Sequence, residues 1–170
     1  MAEILISACL LGCKVRYNAS DLKVANSDFE KLVAVHDVVS YCPEVSAGML
    51  IPRAPAEIRG GDGFDVLSSR AKVIDEDGQT LSENFITAAK NTLRKCQTEK
   101  IQFAILAESS PSCGSSQIYD GNFKGTKITG KGVTAALLEQ NAIGVFSQYL
   151  AGDLLRLLRS ETPVPQRNQT

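Results

Sequence analysis

The chain has 170 residues, 44% apolar and 22% charged, with 18 Lys and Arg against 19 Asp and Glu. The resulting net charge of −1 argues against a protein that lives on a nucleic-acid backbone, which needs a basic excess; one or two local cations still suffice for a small anionic ligand. A chain of this length buries roughly 70% of its unfolded surface and needs no disulfide staples.

The pattern alternates strand and helix. Residues 4–9 read as a short buried strand. Residues 26–36 read as a helix with Phe29, Leu32, Val33 and His36 on one face and Asn26 or Ser27 as N-cap. Residues 38–42 give a second strand stopped by Pro43. The stretch 52–63 holds Pro52 and Pro55 together with Gly60, Gly61 and Gly63, and reads as loop. Residues 71–75 form a weaker strand, followed by an Asp77-Gly78 turn. The clearest helix covers 82–98, where Phe85, Ile86, Ala89, Leu93 and Cys96 recur at helical spacing, with Ser82 or Thr80 as N-cap. Residues 103–107 are a strongly apolar strand and 108–130 a long loop. A helix over 133–140, a strand over 143–146 and a helix over 148–159 follow. The last ten residues, 161–170, carry two prolines and no pattern, and read as a tail. Apolar strands separated by helices imply an open, mostly parallel α/β sheet with flanking helices, Rossmann-like, in one unit over residues 1–160.

The longest uncharged stretch, residues 140–152, contains Gln, Asn, Ser and Gly and is too short and polar to span a bilayer. The first apolar run follows Glu3 rather than a basic region, unlike a signal peptide. A cytoplasmic protein without membrane contact is expected. In that reducing setting an odd count of five cysteines points to metal binding or catalysis rather than disulfides.

Position is the strongest argument. Open α/β sheets bind ligands at the carboxyl ends of their strands. Cys9 closes the first strand, Cys42 the second, and Cys113 follows the 103–107 strand in a Ser-Pro-Ser-Cys-Gly loop. Three thiolates at one edge repel one another and need a cation; soft sulfur selects zinc, copper(I) or an iron–sulfur cluster. Plain packing is the competing reading. It suits Cys96 best, and Cys13, spaced Cys-x-x-x-Cys from Cys9, is ambiguous. Glu44, two residues past Cys42, is a candidate proton carrier. Ser109, Ser110 and Ser112 crowd around Pro111 and can cap backbone or bond a substrate. Arg16, Arg53 and Lys131 are cations beside the loops, suited to a phosphate. The glycine-rich stretches at 60–63 and 121–132 match neither the P-loop nor the dinucleotide fingerprint. The single histidine, His36, lies on an apolar helix face, which disfavours a serine triad.

Taken in order, several strings resemble one family. They are Ser7-Ala8-Cys9-Leu10-Leu11-Gly12 with Val15-Arg16-Tyr17; Cys42-Pro43-Glu44; Pro52-Arg53-x-Pro55-x-Glu57-Ile58 with Gly61-Asp62-Gly63; Ser109-Ser110-Pro111-Ser112-Cys113-Gly114; Ile118-Tyr119-Asp120-Gly121-x-Phe123; and Gly130-x-Gly132-Val133-Thr134. The set, spread over residues 3–147, resembles the thiouracil desulfurase (TudS) family. That resemblance implies a 4Fe–4S cluster held by Cys9, Cys42 and Cys113, with one iron free of protein. It implies an enzyme that hydrolyses the thiocarbonyl of 2-thiouracil and of 4-thiouracil derivatives, 4-thiouridine monophosphate among them, to the oxo base and hydrosulfide, with no net electron transfer. It places Glu44 and Ser110 in catalysis, Ser109 being the alternative to Ser110, and gives Cys13 and Cys96 no ligand role. The competing classes are a non-catalytic iron–sulfur or zinc binding module and a cysteine-nucleophile hydrolase using Cys113, which needs a nearby histidine.

Overall fold

The computed structural model describes residues 2–161. Strand β1 (Glu3–Ser7) is buried from Ile4 onward. At Ala8 the chain leaves the sheet in a 3-10 turn over Ala8–Leu11, closed by Gly12 at φ 95°, a conformation that glycine adopts without a Cβ penalty. The first strand is therefore shorter than expected, and Cys9 sits in the turn beyond it. Helix α1 (Ser27–Val35) starts at Asn26, whose side-chain oxygen accepts from the N–H groups of Asp28 and Phe29. It buries Phe29 and Leu32. After β2 (Asp37–Tyr41), Pro43 does more than end a strand. It takes the first position of the one-turn helix α2 (Pro43–Ser46), with Cys42 as N-cap; there its missing N–H leaves nothing unsatisfied.

The Pro- and Gly-rich stretch is not all loop: it contains strand β3 (Ala56–Arg59) and leads into α3 (Gly63–Leu67), which a capping box between Asp62 and Asp65 initiates. β3 pairs antiparallel with β4 (Lys72–Asp75), so the run at 71–75 joins a separate ribbon instead of the main sheet. Helix α4 (Ser82–Thr98) follows its apolar period, but neither Ser82 nor Thr80 caps it; Leu81 holds that position. The Ser82 hydroxyl instead accepts from the Val73 N–H at 3.0 Å, tying α4 to β4. Strand β5 (Phe103–Leu106) is next. The expected 108–130 loop carries an antiparallel hairpin, β6 (Gln117–Tyr119) with β7 (Lys127–Thr129). Helix α5 (Val133–Gln140) and strand β8 (Gly144–Ser147) follow. The last expected helix is split into a 3-10 turn, Gln148–Leu150, and α6 (Ala151–Glu161). Glu161 thus ends a helix, and the remainder of the expected tail, 162–170, lies outside the described residues.

The main sheet runs β2-β1-β5-β8, all parallel. Right-handed crossovers put α1 on one face and α4 and α5 on the other. The packing agrees: α1 lies against α6, and α4 against α5. Ile4, Leu5, Ile6, Ala104, Ile105 and Leu106 form the centre of the sheet core. A second core joins β3, β4, α3 and the hairpin through Ile58, Val66, Val73 and Ile118. Helix α4 serves both, with Cys96 in the first and Phe85 and Ala89 in the second. The chain leaves β1 toward β2 and later crosses back to β5. The carboxyl ends of β1 and β5 are therefore the switch point, where folds of this kind open a crevice. No helix among the described residues is long and apolar enough to cross a membrane.

Candidate active site at the strand ends

A cavity of about 460 Å³ opens at that switch point, and Cys9, Cys42 and Cys113 all line it. Cys9 comes from the turn after β1, Cys42 from the end of β2, and Cys113 from the loop after β5. Cys9 and Cys113 are buried and Cys42 half-buried. Burial pushes the Cys113 thiol up to about 12, with Cys9 and Cys42 adding to the rise. Burial, then Cys42, pushes Cys9 to about 11, while Arg16 opposes. Cys42 is also raised, by burial first, with Arg53 opposing. Cys42 opposes ionisation of Cys9, and both oppose that of Cys113, so the set forms thiolates only when a cation binds, and binding then releases their protons. Among the described residues no three His, Cys, Asp or Glu side chains close around a single ion. The thiols remain within electrostatic reach of one another, and as soft donors they suit zinc, copper(I) or an iron–sulfur cluster.

Around the thiols lie the polar groups. Glu44, in the first turn of α2, forms an ion pair with Arg53, and the two side chains are only 16% and 13% exposed. Arg53 also donates to the Leu50 carbonyl at 3.0 Å, which aims the guanidinium. Ser110 Oγ accepts from the N–H groups of Ser112 and Cys113, both at 3.1 Å. It caps the turn that presents Cys113 and keeps its own proton available to the cavity. Ser109 lines the cavity with its backbone at φ 67°, a left-handed conformation that non-glycine residues adopt at a cost and that collects at functional sites. Ser7 Oγ donates to Cys113 Sγ at 3.8 Å and accepts from the Ala107 N–H at 3.1 Å, joining the ends of β1 and β5 beneath the thiol. Arg16 also lines the cavity, its guanidinium 5.9 Å from the Tyr17 ring centroid.

Two expected substrate contacts lie elsewhere. Ser112 is fully buried and its hydroxyl bonds Thr134 at 2.8 Å, pinning the Cys113 loop to the start of α5. Lys131 spends its ammonium on the Ser115 carbonyl at 2.6 Å and on Glu139 at 3.0 Å; it is a strut outside the cavity. Cys13 is exposed and off the cavity wall, though close enough to Cys42 to raise it slightly. Cys96 is buried in the sheet core. His36 ends α1 just before β2, at the amino edge of the sheet. The only histidine is thus a sheet's length from Cys113, and a buried thiol at about 12 without a base is a poor nucleophile. The hydrolase reading loses its support.

Several cavity residues carried no sequence signal that reasoning caught. Glu108 accepts from the N–H groups of Ser109, Ser115, Ser116 and Gln117 and from the hydroxyls of Ser115 and Ser116. Burial opposes its charge, but these bonds outweigh burial and hold the carboxyl below its usual range. It closes the whole 109–117 loop into one ring around a carboxylate. Glu57 accepts from Gly121 and Phe123 and fixes the hairpin that brings Tyr119 and Lys127 to the rim. Lys127 Nζ lies 5.5 Å from the Tyr119 ring centroid. For Glu108 the signal available was a carboxylate at the head of a serine-rich loop, where clustered N–H donors need an acceptor; Glu57 serves a hairpin 64 residues away and carried none.

The chain is similar to known proteins over most of its length. A family model described as 2-thiouracil desulfurase matches residues 4–149. A Bacillus subtilis (strain 168) protein, uncharacterized protein YbbK, is 45% identical over 152 residues, covering 89% of this chain and 99% of that one. The solved structure of a [4Fe-4S]-dependent thiouracil desulfidase, TudS, superposes with a TM-score of 0.84 at 37% identity, covering 94% of this chain and 99% of that one.

Proposed function

Because the chain belongs to the 2-thiouracil desulfurase family, we propose that it hydrolyses the thiocarbonyl of a thiolated pyrimidine at this cavity, with Cys9, Cys42 and Cys113 holding a 4Fe–4S cluster. The observation that carries the reading is the convergence of three thiols from three strand ends on one cavity that also holds a carboxylate and a free hydroxyl. With three protein ligands for four irons, a bound cluster would supply an open, soft Lewis-acid site suited to a thiocarbonyl sulfur.

The remaining work belongs to side chains of this chain. Net reaction exchanges C=S and water for C=O and hydrosulfide, so a water proton must be taken up and a proton delivered to sulfur. Glu44 is the proton carrier: it lies beside Cys42, and Arg53 holds its carboxylate in one orientation. Ser110 donates its free hydroxyl proton to the charge that develops on the base; its oxygen is already fixed by two backbone donors. Ser109, held at a strained backbone angle, is the alternative donor. Arg16 and Lys127, on the rim and each stacked near a tyrosine, suit the phosphate of 4-thiouridine monophosphate, whereas a free base needs neither. The substrate is thus a small thiolated pyrimidine or its nucleotide rather than a nucleic acid or a membrane component.

The test is repeated release of hydrosulfide and uracil from 2-thiouracil by cluster-loaded protein. Multiple turnovers per chain support the reading; stoichiometric binding without hydrosulfide makes the protein a binding module and sinks it.

A further inference from the structure

Gln148 opens the 3-10 turn after β8 and lines the cavity beside the Cys113 loop. It is 5% exposed. Its Oε1 accepts from the Glu108 backbone N–H at 2.9 Å. A backbone N–H can only donate, so this bond settles which end of the carboxamide is oxygen. The other end, Nε2, carries two N–H donors and no partner among the described residues. Nor is that nitrogen sealed away: the partnerless side-chain atoms shut off from solvent among the described residues are His36 Nδ1 and Glu99 Oε2. A buried amide, clamped by its oxygen, therefore keeps two donors facing the cavity. In the open cavity water serves these donors, and a ligand that displaces the water has to bring an acceptor of its own or leave them unpaired.

We propose that Gln148 is a specificity-determining residue: Nε2 donates to the exocyclic oxygen that 2-thiouracil carries at ring position 4, across N3 from its thiocarbonyl. The assignment rests on the desulfurase reading and adds what that reading lacks, a group that tells one pyrimidine from another. An oxo group at ring position 4 accepts from Nε2, whereas the amino group of a 2-thiocytosine presents a donor to a donor. A site built to hydrogen-bond one group rejects the analogue that leaves its donors unpaired.

The experiment compares 2-thiouracil with 2-thiocytosine in the wild-type protein, Gln148→Glu and Gln148→Met, reading kcat/KM for hydrosulfide release and, by calorimetry, the Kd values of uracil and cytosine. Gln148→Glu keeps an acceptor for the Glu108 N–H and replaces the donor with an acceptor, so the loop stays held. The wild type should favour the oxo ring at least tenfold, about one hydrogen bond's worth. In Gln148→Glu that ratio should fall about tenfold or more. In Gln148→Met, which loses the donor without gaining charge, it should fall by less. The ratio is indifferent to how much cluster each preparation holds. Equal handling of the two rings by the wild type overturns the assignment without needing any variant to fold. So does an unchanged ratio in a folded Gln148→Glu protein. If the wild type turns over neither substrate, the desulfurase reading fails, and the ratio of uracil to cytosine Kd values decides Gln148 on its own.

Discussion

Removing the Glu108 carboxylate should loosen the loop that carries Ser110 and Cys113. In Glu108→Ala six donors lose their acceptor at once. Three of them, the Ser116 N–H, the Ser116 hydroxyl and the Gln117 N–H, are exposed and turn to water. The other three, the Ser109 N–H, the Ser115 N–H and the Ser115 hydroxyl, are part-buried. At roughly 1 kcal/mol for each of those bonds, the loss is about 3 kcal/mol. For a chain of this size that lowers Tm by about 6–12 °C. Glu108→Gln keeps a carbonyl oxygen for the backbone donors, and the serine hydroxyls can rotate to accept from its amide. Only the charge is lost, at a cost of about 1 kcal/mol and about 2–4 °C. The pH dependence has a definite sign. The native carboxyl sits below its ordinary value of 4.5, so the charged form stabilises the fold fully above that unfolded value and the contribution is lost as pH falls through the lower native value. Differential scanning calorimetry of both variants from pH 7 to pH 3 is the assay. The gap between wild type and Glu108→Gln should be full at pH 7 and close in acid. A Glu108→Ala protein that melts with the wild type, or a gap that widens in acid, would refute the reasoning.

Other outcomes follow from the same contacts. Glu44→Gln should keep the fold and its iron yet cut hydrosulfide release by about 100-fold or more, the usual cost of a lost proton carrier, in single-turnover assays. Arg53→Met should lower turnover through misdirection of Glu44, and the double variant with Glu44→Gln should be no worse than Glu44→Gln alone. A Cβ on Gly132 would lie 2.4 Å from the Ser112 backbone, so Gly132→Ala should cost about 1–3 kcal/mol in urea unfolding and displace the neighbouring Cys113. Lys131→Met should weaken the 115–139 strut without changing KM for a thionucleotide, since its ammonium faces Ser115 and Glu139; a raised KM with unchanged stability contradicts that placement.

Much of the architecture was legible because the parallel strands are continuous apolar runs and α4 keeps a strict period. The strand-end rule then brought Cys9, Cys42 and Cys113 to one edge from chain order alone. Missed elements were short and polar. β3 hides between Pro55 and Gly60, and β6–β7 hides among glycines, because two-stranded ribbons of three or four residues draw their stability from packing on a neighbouring core rather than from a local pattern. Ser112 and Lys131 were misassigned for a related reason: proximity in sequence to Cys113 and to a glycine loop says nothing about which way a side chain turns once α5 packs beneath. Glu108 was overlooked although its donors are local, because an acidic residue before a serine-rich loop reads as solvated; Gln148 lay beyond reach because its role arises from a bond to the Glu108 N–H, forty residues away.

The central claim is that three cysteines hold a cluster over this cavity. Iron and acid-labile sulfide, measured per chain on protein reconstituted without oxygen, test it most directly. The account predicts about four of each in the wild type and in Cys13→Ser, and a sharp loss of both in Cys9→Ser, Cys42→Ser and Cys113→Ser. Absent sulfide, zinc in place of iron, or a full complement retained without Cys113 would contradict it.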